Sequence, residues 1–194
     1  MKNFIKGFRF TPSNYPAAVE DKIQKYRKQG YKLPPRKVLR TPEQLEGIRE
    51  SAKINTALLY YLSENIREGM STAEIDHMVY CFTTDHDAIP APFMYEGFPK
   101  SVCTSINEVV CHGIPDPDRV LQDGDIINVD VTTILDGYYA DASRMFLIGN
   151  VCDEARKLVE VTKESVDLAL KEVKPWGRLG DIGAVISEYV HQHG

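Results

Sequence analysis

The chain has 194 residues, 43% of them hydrophobic and 26% charged, and a net charge of −5. That composition suits a soluble domain able to bury its own core without disulfide or metal staples. No run of about 18 apolar residues occurs, which excludes a membrane-spanning helix. Met1–Gly7 has no apolar h-region and no small-residue cleavage site, so no secretory signal is expected. Cys81, Cys103, Cys111 and Cys152 form no C-x-x-C pair, which argues against a zinc knuckle or a thioredoxin-like motif. The expectation is four free, buried thiols in a reducing, cytoplasmic setting.

Residues 1–40 read as an extension and residues 41–194 as the body. The extension holds 11 Lys and Arg against Glu20 and Asp21, a charge of +9, which leaves −14 for the rest. A basic arm lying on its own acidic body is the preferred reading. The alternative is contact with a polyanion such as ribosomal RNA, through Lys22, Lys25, Arg27 and Lys28. Pro12, Pro16, Pro34 and Pro35 break the segment. Phe4, Phe8, Phe10, Tyr15 and Tyr31 follow no firm period, and Leu33-Pro34-Pro35-Arg36 predicts a short polyproline II strap.

Thr41-Pro42-Glu43-Gln44 opens the first long helix as a capping box with Pro at N1. Leu45, Ile48, Ala52, Leu59 and Leu62 recur at helical spacing, and Gly69 is the expected C-terminal glycine. Ser71-Thr72-Ala73-Glu74 is a second capping box, opening a helix with Ile75, Met78, Val79 and Phe82 inward. Residues 101–110 are rich in β-formers. Two strands, 126–135 and 138–148, flank Asp136-Gly137, a strong hairpin signal. Asp153 can cap a helix with Leu158, Val161, Ser165, Leu168 and Ala169 on one side, ended by Pro175 and Gly177. Asp181 can cap a last helix through Ile182, Val185, Ile186 and Tyr189. The order is helix pair, strands, hairpin, helix pair. The second pair has no sheet of its own to cover, so the chain is expected to be incomplete.

The hairpin is where chemistry can sit. With a two-residue loop, Asp130 lies opposite Ser143 and Asp141 opposite Thr132. Period two then puts Asn128, Asp130, Thr132, Asp141 and Ser143 on one face. Ile127, Val129, Val131, Ala140, Ala142 and Phe146 share the other, which reads as core. The two aspartates become diagonal neighbours with Cβ atoms roughly 7 Å apart, and their like charges repel. A divalent cation between them would reverse the sign of that interaction. A pair of ions about 3.5–4 Å apart fits the span, and oxygen ligands suit hard or borderline ions. On spacing alone, an ordinary solvated hairpin face remains open.

Three longer segments resemble a known family. They are Ser101-Val102-Cys103-Thr104-Ser105-Ile106-Asn107-Glu108-Val109-Val110-Cys111-His112-Gly113-Ile114-Pro115, Gly124-Asp125-Ile126-Ile127-Asn128-Val129-Asp130-Val131-Thr132, and Asp136-Gly137-Tyr138-Tyr139-Ala140-Asp141-Ala142-Ser143-Arg144-Met145-Phe146. They are similar to the signatures of type I methionine aminopeptidases, and the resemblance runs from about Thr41 to Gly194. It implies an α+β pita-bread fold, here its first half plus the opening helix pair of the second. It implies two divalent metal ions, Co, Mn, Fe or Zn, with Asp130 chelating one and Asp141 bridging both. His112 would contact the substrate and help stabilise the reacting amide. Tyr95, Phe98 and Cys103 would line the methionine side-chain pocket, where a thioether suits aromatic and thiol neighbours.

The implied reaction is metal-assisted removal of the initiator methionine from nascent polypeptide N-termini by a monomeric cytoplasmic hydrolase. Pro92 and Glu96 stand where many bacterial members have a pocket cysteine and a histidine. The family's remaining ligands, one His in a Gly-His-Gly-Ile-Gly motif and two Glu, have no counterpart here. His191 and His193 do not match that motif and read as helix-end residues. This chain is therefore expected to bind metal weakly and hydrolyse poorly. Two other readings stay open: a proline-specific peptidase of the same fold, and a non-catalytic binding protein built on half of it.

Overall fold

The computed structural model describes residues 17–35 and 38–194. Phe4, Phe8, Phe10, Tyr15 and Arg36 lie outside these residues, and with them part of the expected strap. The described extension forms a helix that the sequence reading did not anticipate, α1 (Ala17–Lys28). It touches the body at Trp176 and Arg178, through rings and cations in place of the acidic partners that the charge count suggests. Tyr26 stacks on Trp176 at 5.7 Å, and Tyr31 meets Tyr26 edge-on at 5.3 Å. The Lys22 ammonium sits 4.5 Å over the Trp176 ring. The Arg178 guanidinium covers Tyr31 and donates to its hydroxyl at 3.1 Å. Cation–π geometry of this kind adds about 0.5–1 kcal/mol at exposed sites.

Both predicted capping boxes form. The Gln44 N–H donates to Thr41 Oγ1 and the Thr41 N–H to Gln44 Oε1, both at 3.1 Å. The Glu74 N–H donates to Ser71 Oγ at 3.2 Å, and the Ser71 N–H to Glu74 Oε2 at 2.8 Å. These caps start α2 (Pro42–Asn65) and α3 (Thr72–Asp85). Helix α2 ends at Asn65, with Ile66 as its C-cap, before Gly69. Gly69 instead adopts a left-handed φ of 81° and donates its N–H to the Leu121 carbonyl, starting the next segment. The inward face of α2 also differs from expectation. Leu45 is exposed, while Ser51, Asn55 and Leu58 join Leu59 and Leu62 inside.

Four strands form one antiparallel sheet: β1 (Ile89–Pro90), β2 (Cys103–Ile106), β3 (Ile126–Leu135) and β4 (Tyr138–Leu147). Strand β2 is shorter than its run of β-formers, and β1 was not anticipated. Strand β3 is central, with β1 and β2 against its two ends on one side and β4 on the other. Asp136 and Gly137 both take positive φ, 50° and 82°, the two-residue turn that the right-handed strand twist favours. One face of the sheet packs under α2 and α3. Ile127, Val129 and Val131 of β3 are fully buried there against Leu58, Leu62 and Ile75. Ala142, expected in the core, is exposed, whereas Ala140, two residues earlier on the same strand, is buried as expected.

The chain closes with α4 (Asp153–Lys171) and α5 (Leu179–His193). Their N-caps are Cys152 and Arg178, so Asp153 and Asp181 fall in the first turns instead of capping. Asp181 still accepts the Arg178 N–H at 3.3 Å. Ser165 and Ala169 are buried, but Leu158, expected inward, is 60% exposed, and α5 buries no residue. The helices pack chiefly on each other. No described helix is long and apolar enough to cross a membrane.

Candidate metal and substrate site

The register anticipated from the two-residue turn is the observed one. Asp130 pairs with Ser143, and Thr132 with Asp141. On its other side Asp130 pairs with Cys103 of β2, so Cys103, Asp130 and Ser143 form one row across the sheet. The two carboxylates therefore stand diagonally on the face away from the helices. Thr132 Oγ1 donates to Asp141 Oδ1 at 2.6 Å, fixing that carboxylate's rotamer.

The electrostatics follow from this placement. Burial, and then the negative charge of Asp141, hold the Asp130 carboxyl above the ordinary carboxylate range, while His112 pulls it the other way. The Cys103 thiol is pushed up to about 11, first by burial, then by Asp130, Cys111 and Asp141. A face that penalises its own negative charge is one a cation would relieve.

His112 reaches this region from the loop after β2. It is exposed and takes a left-handed φ of 56°, a strained conformation for a residue with a Cβ. The following residue anchors the loop. Thr104 donates its N–H to the Gly113 carbonyl at 2.8 Å, and the Gly113 N–H donates to Ser105 Oγ at 3.2 Å. A Cβ at Gly113 would lie 2.0 Å from the Thr104 carbonyl oxygen, so only glycine fits this approach.

The expected pocket residues are less gathered. Cys103 is buried on the carboxylate face, and Phe98 is half-buried. Tyr95 is 67% exposed in a single 3-10 turn, Tyr95–Gly97. The turn is tightly drawn: Met94, Glu96 and Gly97 take positive φ, and Met94 donates its N–H to the Phe98 carbonyl at 2.8 Å. Of the thiols expected to be buried, Cys103 is, whereas Cys111 and Cys152 are exposed.

Among the described residues, no three His, Cys, Asp or Glu side chains converge closely enough to hold an ion. Two mutually repelling carboxylates, with an imidazole close enough to act on one of them, fit a hard or borderline divalent cation. By themselves these groups would not complete a donor set. His191 and His193 lie at the end of α5, bonded to the Ser187 and Tyr189 carbonyls.

The sequence reading missed Asn55 and Ser51. These polar residues sit four apart in the middle of an apolar helix stripe, and that interruption was the available signal.

The chain belongs to metallopeptidase family M24, whose family model matches residues 46–194. Within that family it is similar to methionine aminopeptidases. It is 49% identical over 151 residues to methionine aminopeptidase A of Synechocystis, a match covering 78% of this chain and 60% of that protein. The crystal structure of methionine aminopeptidase from Rickettsia prowazekii superposes with a TM-score of 0.77 at 41% identity, covering 80% of this chain and 62% of that one. The prolidase from Pyrococcus furiosus matches with a TM-score of 0.69 at 18% identity, over 91% of this chain and 48% of that one, which shows the shared fold alone. That fold is the pita-bread fold. The chain spans about 60% of the length of the curated relatives it matches. The family is one of metal-dependent peptide hydrolases, so divalent metal belongs to its chemistry.

Proposed function

We propose that residues 41–194 are the front part of a methionine aminopeptidase catalytic unit, with residues 1–40 as an appended extension. The substrate class is the N-terminus of a newly made polypeptide, in the cytoplasm. The observation that carries this reading is the β3–β4 register, which sets Asp130 and Asp141 diagonally on one face beside His112.

In this reading, Asp130 and Asp141 hold divalent metal, two ions in the complete site. When bound, the metal supplies Lewis-acid polarisation of the scissile carbonyl and lowers the pKa of water. Thr132 keeps Asp141 in its rotamer through the 2.6 Å bond. His112, on its strained loop, donates toward the reacting amide. Cys103, neutral at physiological pH, contributes an uncharged wall for the thioether side chain. Of the basic residues considered for ribosome contact, Lys22 is already engaged on Trp176, which leaves Lys25, Arg27 and Lys28 for that role.

The test is titration of the chain with Co²⁺, followed by visible absorption, beside Asp141→Asn. The parent should bind weakly and the variant far more weakly still. Equal uptake by both would sink the reading. Hydrolysis of a Met-Ala peptide should stay near background for this chain, and turnover close to that of full-length relatives would overturn that expectation.

A further inference from the structure

Helix α2 carries a polar pair where a helix packed on a sheet needs none. Asn55 is 2% exposed, and Ser51, one turn earlier, is fully buried. A buried carboxamide costs about 1–3 kcal/mol unless its hydrogen bonds are made. Here they are made to the sheet. Asn55 Nδ2 donates to the Val131 carbonyl at 2.9 Å and to the Ala140 carbonyl at 3.1 Å. Ser51 Oγ donates to the Thr133 carbonyl at 3.2 Å and lies 3.1 Å from Thr133 Oγ1, which in turn donates to the Ser51 carbonyl at 3.2 Å.

The placement of the two Asn55 bonds is informative. Val131 lies between Asp130 and Thr132 on β3, and Ala140 directly precedes Asp141 on β4. The two carbonyls therefore belong to the peptide units leading into Thr132 and Asp141. Those two residues face each other across the ladder and are joined on the opposite side of the sheet by the Thr132–Asp141 bond. One carboxamide thus spans both strands from the helix side, at the level where the carboxylates stand on the other side. Directional bonds fix a spacing that apolar contact would let slide.

We infer that Asn55 is a positioning residue for the carboxylate pair. By clamping the Val131 and Ala140 carbonyls, it sets the strand separation and twist at which Thr132 reaches Asp141 and Asp141 stands diagonal to Asp130. Asn55 touches neither metal nor substrate, and its effect passes through the backbone. The assignment to metal holding rests on the function proposed above, whereas the clamp itself does not.

Asn55→Leu tests it, because leucine has nearly the same size and no polar group to strand. Two readouts are taken on the folded chain, with far-UV circular dichroism as the check on folding. The first needs no metal: the side-chain carboxyl ¹³C resonance of Asp141 at fixed neutral pH. The second is Co²⁺ titration with visible absorption, with Asp141→Asn as control. Asn55→Leu should shift the Asp141 resonance and weaken Co²⁺ binding by about tenfold, with altered absorption bands, as supporting residues of metal ligands do. An Asp141 resonance and Co²⁺ affinity both unchanged in a folded Asn55→Leu chain, while Asp141→Asn loses Co²⁺, would overturn the inference and leave the metal reading standing. If Asp141→Asn binds Co²⁺ as the parent does, the metal reading fails. The resonance then decides the clamp alone, a shift supporting it and no shift overturning it. Should Asn55→Leu not fold, Asn55→Ser, which shortens the donor arm, is judged by the same two readouts.

Discussion

The two helix pairs of this chain both carry amphipathic patterns and meet different surroundings. Helices α2 and α3 lie over the sheet and place Leu58, Leu62, Ile75 and Val79 in the core at 1% exposure or less. Helices α4 and α5 have their own apolar stripes, yet Leu158 and Leu170 of α4 stay 60% and 62% exposed and α5 buries nothing. An amphipathic pattern says which face of a helix can be buried. Whether that face is buried depends on a surface to receive it. For α2 the sheet is that surface, and the same contact orders the strands that carry Asp130 and Asp141.

The sharpest way to break this comparison is to truncate one leucine from each pair. Leu62→Ala should lower the unfolding free energy by about 2–5 kcal/mol, and Leu170→Ala should change it by no more than about 0.5 kcal/mol. Equal losses in urea titration would show that α4 is supported as firmly as α2. Next in size is Gly113→Ala, where the new Cβ must push off the Thr104 carbonyl. A loss of about 1–3 kcal/mol is expected, together with a shifted His112 ring resonance in NMR. An unshifted ring would mean that the His112 loop does not depend on this close approach.

The caps give a smaller contrast. Ser71→Ala removes a complete capping box and should destabilise by about 1 kcal/mol. Cys152→Ser supplies a side-chain acceptor at an N-cap that lacks one, and should stabilise α4 by a few tenths of a kcal/mol. A loss on making that second change would contradict Cys152 as the cap position.

The carboxylate face yields a pH prediction. The Asp130 carboxyl is raised in the folded chain, so the folded state binds its proton more tightly than the unfolded state does. Stability from this group is present below the unfolded value, about 3.9, and is lost as pH rises through the folded one. Asp130→Asn should therefore raise the melting temperature of the metal-free chain at pH 7, with the gain vanishing near pH 3. A constant difference across that range would point to packing instead of charge. The smallest effect concerns the extension. Tyr26→Ala should speed tryptic cleavage at Lys25, Arg27 and Lys28 relative to the parent. Unchanged rates would mean that the Trp176 contact does not hold α1 in place.

Much of the fold was legible because its signals are local. The Thr41 and Ser71 capping boxes and the Asp136-Gly137 turn are fixed by neighbouring residues, and the turn alone sets the register that brings Asp130 beside Asp141. The helix ends were less legible. Gly69 looks like a C-terminal glycine, but its left-handed φ and its bond to Leu121 serve the next segment. Helix α1 was missed because its stabilising partner, Trp176, lies about 150 residues away and no local period announces the contact. The buried Asn55 was missed because an apolar stripe is read from its apolar members. The pocket role of Tyr95 rests on resemblance alone, and the residue is exposed in this structure.

Trp176 is the chain's one tryptophan, and it lies under the Lys22 ammonium and against the Tyr26 ring. Excitation at the red edge of indole absorption therefore reads out a single place in the molecule, the seat of α1. When the helix lifts, the ring exchanges a cation and a phenol for water, and both emission colour and quencher access should change. An unlabelled sample carries its own optical gauge of whether the extension is attached.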